Sequence, residues 1–220
     1  MAMDDDQLPD PTKLTRTKQR WASEGRFLTG QSTRADAARL PPGQHLVRDW
    51  PVLDLGKQPE VPLDRWRLKI GGLVGNPLTL DWAGLMALPQ NAIRSDIHCV
   101  TSWSRYDNDW QGVASGDLLD LVDPAPDAAF LMVHGYDGYS TNVPLADFAA
   151  PNALLAHSWA GAPLSCAHGG PLRLVIPHLY FWKSAKWISG IDFLGEDEPG
   201  FWESNGYHMR GDPWQEERYD

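Results

Sequence analysis

Ala92-Ile93-Arg94-Ser95-Asp96-Ile97-His98-Cys99-Val100 reads as a strand, because Ile93, Ile97 and Cys99 fall on one face and Arg94, Asp96 and His98 on the other. A half-buried strand that ends in a thiol makes Cys99 the residue on which function turns. The continuation, Thr101-Ser102-Trp103-Ser104-Arg105, is two hydroxyls, an aromatic and a cation around a further serine. It extends a core strand poorly and lines a polar ligand well, so Cys99 is expected to be a ligand or a nucleophile.

Upstream, Trp66, Leu68 and Ile70 alternate with Arg65, Arg67 and Lys69, and Leu78-Thr79-Leu80 resumes beyond Gly75-Asn76-Pro77. Alternation broken by turn residues predicts a β-hairpin. Asp81 is placed to cap a short helix through Trp82 to Met86, which Pro89 stops. Downstream, a second short helix starts at Ser115 or Asp117, and residues 129–134 form a buried strand turning at Asp137-Gly138. Residues 144–149 suggest a third helical turn, and residues 171–176 and 187–194 two more strands. Strands outnumber short helices, which predicts an α+β protein with a mixed or antiparallel, barrel-like sheet core.

Residues 1–43 are polar with little apolar periodicity, and are expected to wrap the surface ahead of one domain spanning 44–220. A formal net charge of -10 argues against nucleic acid and anionic membrane as partners. The absence of a long apolar run predicts no membrane span. Without a basic-then-apolar start, the expected location is cytoplasmic, with Cys99 and Cys166 reduced and Cys166 acting as a small buried apolar residue. Seven histidines without a short HxxxH spacing make a zinc site a weak reading, and the 11 tryptophans are expected to be mostly structural.

Polar residues concentrate in three stretches, 98–105, 134–142 and 168–186, which are expected to share one pocket. His168-Gly169-Gly170-Pro171-Leu172-Arg173 supplies a cation and close backbone approach, and Lys183-Ser184-Ala185-Lys186 places two cations around a hydroxyl. Both suit a phosphate. Each also has a structural reading: edge lysines, a glycine turn, His134 as a satisfied core histidine, and Tyr139 as a packed hairpin aromatic.

Taken in order, Cys99 with Thr101-Ser102-Trp103, Trp110-Gln111-Gly112-Val113, Asp137-Gly138-Tyr139 through Pro144-Leu145, the run from His168 to Pro177, and Lys183 to Trp187 resemble the molybdopterin-binding domain of the sulfite oxidase family. Gly206 to Trp214 is similar to the ending of its small, single-domain bacterial members, so the resemblance runs from about Gln44 to the C-terminus. It implies a molybdenum–molybdopterin cofactor, with Cys99 as the protein's one thiolate ligand to the metal, consistent with the preference of soft donors for such a centre. By position, His168, Arg173, Ser184, Ala185 (through its backbone N–H) and Lys186 contact the cofactor, and His134 does so more loosely.

Arg48-Asp49-Trp50 stands in place of the family's Arg-Asn-His. The resemblance therefore makes Arg48 catalytic and puts Asp49 and Trp50 beside the cofactor. Tyr139 matches the active-site tyrosine, placed to donate to a metal-bound oxygen, and Phe181 replaces a customary glycine. The implied activity is oxygen-atom transfer on a small oxyanion or an S- or N-oxide, without haem, with electrons exchanged with a separate redox protein or flavoprotein. Two alternatives stand beside it: a cofactor carrier without turnover, and a thiol hydrolase in which His168 is the base.

Overall fold

A computed structural model describes residues 39–220, so the expected extension 1–43 lies outside the described residues except for its last five. The hairpin forms where the alternation places it. β2 (Arg67–Gly72) runs antiparallel to β3 (Leu78–Asp81) with Leu68 opposite Leu80, and it buries Leu68 and Ile70 while exposing Arg67 and Lys69. β6 (Phe130–Gly135), β7 (Ser140–Pro144) and β11 (Ile188–Leu194) complete a five-stranded sheet of order β3-β2-β11-β6-β7, in which β11 lies parallel to β2.

The second sheet is built on β5 (Trp103–Ala114), which pairs with β1 (His45–Leu46), β4 (Asn91–His98) and β8 (Leu154–Trp159). β10 (Arg173–Val175) and β9 (Ala162–Pro163) add to β8. Short helices α1 (Trp82–Ala87), α2 (Ser115–Val122) and α3 (Leu145–Phe148) join the strands. Asp81 caps α1 as read, its Oδ1 accepting from Gly84 N at 2.7 Å. The class is α+β with two mixed sheets. The core expected to be barrel-like takes the form of two open sheets sharing one buried cluster, with no closed barrel among the described residues.

Trp66, Trp110 and Trp187 are fully buried in that cluster or beside it. At about 150–250 Å² of buried area each, they contribute about 4–6 kcal/mol apiece to holding the sheets together. The tryptophans are mainly structural, as their number suggested.

The second sheet departs most from the sequence reading. Residues 103–114 form the longest strand, so that of the stretch 101–105 expected to line a ligand only Trp103 reaches the cavity, and β8 and the two-residue strands β1 and β9 were not foreseen. The alternation of β5 and β8 is masked by register shifts at Ser95/Ile97 and Gln111/Gly112. The first shift also turns His98 inward. Instead of sharing an outer face with Arg94 and Asp96, it is buried with its Nδ1 2.8 Å from Ser104 Oγ. β4 ends there, and Cys99 to Ser102 make the tight turn into β5, with Ser102 at φ 71°.

Candidate functional site

Loops from both sheets converge on one partly open, mostly apolar cavity into which a few polar and charged side chains project. Cys99 enters from the β4–β5 turn, Asp137 and Tyr139 from the β6–β7 turn, and Arg173 from β10. Ser184, Ala185 and Lys186 enter ahead of β11, and the run 50–55 lies across one side.

Cys99 is nearly buried, with its N–H donating to Trp103 O at 2.8 Å and its sulfur 3.1 Å from Thr101 Oγ1. Its surroundings are aromatic. Trp103, Trp182, Trp202 and Tyr207 line the cavity with it, and Tyr207 stacks on Trp202 at 4.8 Å and meets Trp182 edge-on at 5.1 Å. Burial holds the phenols of Tyr180, Tyr207 and Tyr219 above their ordinary range. Tyr139 lines the cavity too, but its hydroxyl donates to Trp182 O at 2.7 Å, so its proton is committed within the wall. Burial, reinforced by Glu203, holds that phenol well above its ordinary range.

The cations gather among themselves. Arg173 is 2% exposed, donates from Nη1 to His168 O at 2.8 Å and from Nη2 to Ser184 O at 2.9 Å, and faces the Phe181 ring at 4.2 Å. Among the described residues no carboxylate pairs with it. Burial pulls the guanidinium down to about 9, so it stays cationic at neutral pH. Lys186 donates to Ala167 O at 3.0 Å and sits over the Trp187 indole at 4.2 Å. Burial, then Arg173, lowers it to about 8.

Ser184 Oγ accepts from Ile176 N at 2.9 Å, which leaves its own proton for a ligand. The glycine pair is more than a turn. Gly169 has φ +103° and a Cβ there would lie 2.9 Å from Lys186 Cβ, while a Cβ on Gly170 would lie 2.2 Å from Leu164 O. Only glycines let this loop close against Lys186 on one side and the Leu164 backbone on the other. His168 stacks on Trp50 at 3.9 Å, with Nε2 3.2 Å from Trp50 O and Nδ1 3.0 Å from Ser165 Oγ. Burial lowers its pKa, and the neutral ring fits those partners if Nε2 carries the proton and Nδ1 accepts.

Of the residues singled out from sequence, the cavity gathers Cys99, Tyr139, Trp50, His168, Arg173, Ser184, Ala185 and Lys186. His134 is not among them. Its side chain is 42% exposed on β6 and meets Asp192 at 3.0 Å, since alternation along the strand turns it to the outer face of the sheet. Arg48 and Asp49 are exposed and outside the lining, and of that triplet only Trp50 reaches in. Lys183 is no edge cation and no second cavity cation. It is fully buried against Glu203 at 2.6 Å and Asn142 Oδ1 at 2.7 Å, a strut beside the wall. Cys166 is partly exposed, its sulfur donating to Pro59 O at 3.4 Å, and both cysteines are free thiols.

Sequence reasoning missed Asp137 and the run Val52-Leu53-Asp54-Leu55, which also line the cavity. Asp137 is buried, which raises its pKa, and its Oδ1 accepts from Tyr139 N at 3.1 Å. The Asp-Gly turn was its only signal. The strap at 50–55 has no regular structure to announce it.

The donor set fits a cofactor that pairs an anionic tail with a thiophilic metal. A buried guanidinium without a carboxylate is costly until an anion arrives. The hydroxyl and ammonium beside it are free to bind the same group, and a thiol lines the same space. Among the described residues no group of three or more His, Cys, Asp or Glu could hold a metal, so a metal at Cys99 must bring further ligands with it. A hydrolase is less well served. His168 engages its ring with Trp50 and Ser165, and His98 bonds Ser104, so neither is shown against the thiol.

A family model described as oxidoreductase molybdopterin binding domain matches residues 55–202. The chain is 47% identical over 192 residues to the uncharacterized oxidoreductase YuiH of Bacillus subtilis, covering 86% of this chain and 97% of that protein. It is 30% identical over 152 residues to the putative protein-methionine-sulfoxide reductase subunit YedZ1 of Azospira oryzae, covering 69% of this chain and 58% of that protein. The sulfane dehydrogenase SoxCD from Paracoccus pantotrophus shares the fold with a TM-score of 0.61 at 18% identity, across 89% of this chain and 56% of that chain.

Proposed function

The chain belongs to the family of oxidoreductase molybdopterin-binding domains and is a molybdopterin-dependent oxidoreductase, and from that premise we propose that it transfers an oxygen atom from a neutral S-oxide or N-oxide. The observation that carries this reading is the division of the cavity lining: its cations cluster around Arg173, the lining near Cys99 is aromatic, and the one guanidinium behind the Cys99 turn, Arg218, lies outside the lining and donates to the backbone carbonyls of Val100 and Pro42. An oxyanion substrate calls for a cation beside the reacting centre. Arg48, the sequence's candidate for that place, is exposed and outside the lining. A sulfoxide bearing apolar substituents suits Trp103, Trp202 and Tyr207. Likeness to a putative methionine-sulfoxide reductase subunit accords with an S-oxide, and a nitrate reductase of Fusarium oxysporum at the same 30% identity makes nitrate the competing substrate to test.

In this reading Arg173, Ser184 and Lys186 hold the phosphate of the cofactor, His168 and Ala185 border it, and the Cys99 thiolate holds molybdenum. When bound, that metal group supplies two-electron oxygen-transfer chemistry. The chain's own contribution is placement and exclusion of water. Trp50 closes one side by stacking on His168, and the aromatic wall keeps the substrate's surroundings dry. Reduction of a sulfoxide to the corresponding sulfide and water takes two electrons and two protons. The electrons come from a separate redox protein.

Protein made in a host with active cofactor synthesis tests both layers. Molybdenum per chain should fall to background in Cys99→Ser. With a reduced viologen as donor, dimethyl or methionine sulfoxide should be turned over well ahead of nitrate. A Cys99→Ser protein that keeps its metal overturns the ligand assignment, and nitrate reduction that outpaces sulfoxide reduction overturns the substrate class.

A further inference from the structure

We propose that Arg218, acting with Gln44, is a positioning residue that fixes the direction of the Cys99 sulfur, a role that rests on Cys99 being the metal thiolate. The two side chains come from opposite ends of the described chain and reach one turn. Gln44 is fully buried, and its Nε2 donates to Cys99 O at 3.1 Å. Arg218, 2% exposed, donates from Nη1 to Val100 O at 2.7 Å and from Nη2 to Pro42 O at 3.3 Å. The carbonyls of Cys99 and of the residue after it are therefore each held by a side chain from outside the turn.

The clamp is itself held. Ser104 Oγ donates to Gln44 Oε1 at 3.2 Å, which fixes which way the amide faces, and the imidazole of His98 abuts that hydroxyl at 2.8 Å. Arg218 lies over the Tyr180 ring at 5.0 Å. Gly43, at φ +67°, leaves room for the guanidinium, since a Cβ there would stand 3.2 Å from Nη2. On the strand side Cys99 N donates to Trp103 O, and Ser102 N donates to Cys99 O at 3.0 Å.

With the peptides on both sides of Cys99 fixed, the direction of its Cα–Cβ bond is set. The sulfur keeps one torsion, and Thr101 Oγ1 at 3.1 Å restrains that. A thiolate that would join a metal arriving with its other ligands has to be presented in one direction. Outer groups that hold a ligand in place remove the reorganisation cost of that arrival. An apolar side chain would fill the same space without burying a cation. The guanidinium is distinguished by the two carbonyls it reaches, Val100 O next to Cys99 and Pro42 O two residues before Gln44.

The test is iodoacetamide alkylation of the metal-free full chain, read separately at each cysteine by mass spectrometry. Cys166 lies outside the clamp and is the internal control, because general loosening accelerates both thiols. In Arg218→Met the Cys99-to-Cys166 rate ratio should rise by about fivefold or more, as local opening becomes easier. Arg218→Lys, which can still donate to Val100 O, should return the ratio toward wild type. A wild-type ratio in Arg218→Met overturns the proposal, and so does an Arg218→Lys ratio equal to that of Arg218→Met. If Arg218→Met does not fold, Gln44→Met decides, with the same rise supporting the clamp and a wild-type ratio overturning it. Wild-type protein that takes up no molybdenum would instead defeat the function proposed above, a result the alkylation ratio does not mimic.

Discussion

Replacing Arg173 with Met should stabilise the cofactor-free protein and abolish cofactor retention, two effects of opposite sign from one substitution. Burial pulls the guanidinium down to about 9 from an ordinary value above 12. At about 1.4 kcal/mol per pH unit, the uncompensated charge costs the empty fold about 5 kcal/mol. Methionine removes that charge and leaves His168 O and Ser184 O without their donors, a loss of about 1–1.5 kcal/mol each. The difference is a gain of about 2 kcal/mol, or about 4–8 °C in Tm for a domain of this size. The same change removes two charge-assisted hydrogen bonds available to the phosphate, together worth at least about 3 kcal/mol or a hundredfold in affinity. Thermal denaturation of metal-free protein reads the first effect, and molybdenum and released pterin per chain read the second. An Arg173→Met protein that melts several degrees below wild type while keeping its cofactor would refute the claim that this cation is built for a missing anion.

Other expected outcomes follow the same geometry. Lys186 titrates at about 8, below its unfolded value, so between those two pH values the unfolded chain binds more protons and the empty protein gains stability as pH rises. A bound anion needs the charged form, so the Tm increase given by pyrophosphate should shrink as pH passes upward through 8, and pH-independent protection would contradict the assignment. Lys183→Met leaves the buried Glu203 carboxylate with only the neutral donors Thr141 and Trp182 and should cost about 3–5 kcal/mol in urea unfolding, and adding Glu203→Leu, which removes the charge but strands those two donors, should recover only part of it. His134→Ala touches only an exposed pair and should change stability by less than about 0.5 kcal/mol with metal content unaltered, whereas a protein lacking metal would return His134 to the cofactor site.

What the sequence made legible divides along physical lines. Alternation at Trp66, Leu68 and Ile70 announced the hairpin because one face of that sheet is dry and the other wet, so side-chain polarity tracks the backbone period. The same logic gives no strand at 103–114, where Arg105, Asp107 and Asp109 lie on a strand whose register slips, and polarity from Thr101 to Arg105 reads as a ligand lining although β5 begins within it. The cation end of the site was readable because His168, Arg173, Ser184 and Lys186 are close in sequence and a glycine pair signals close packing. Their functional sense came from tertiary facts that no local pattern carries. Arg173 is buried without a carboxylate, and Lys183, three residues from Lys186 and identical to it in type, is taken up by Glu203. Two lysines in one short motif therefore sit in different settings, Lys183 in a contact ion pair with buried Glu203 and Lys186 at the cavity, where Asp54 and Asp137 act on it without a contact ion pair. The support behind Cys99 was the least visible part, since Gln44 and Arg218 stand 174 positions apart and meet only when both ends of the described chain close on the turn. A thiol at a strand end can be read from sequence, but the side chains that hold the backbone around it are recruited by topology. Substitutions at the two chain ends should therefore move the reactivity of Cys99 more than most changes within its own strand.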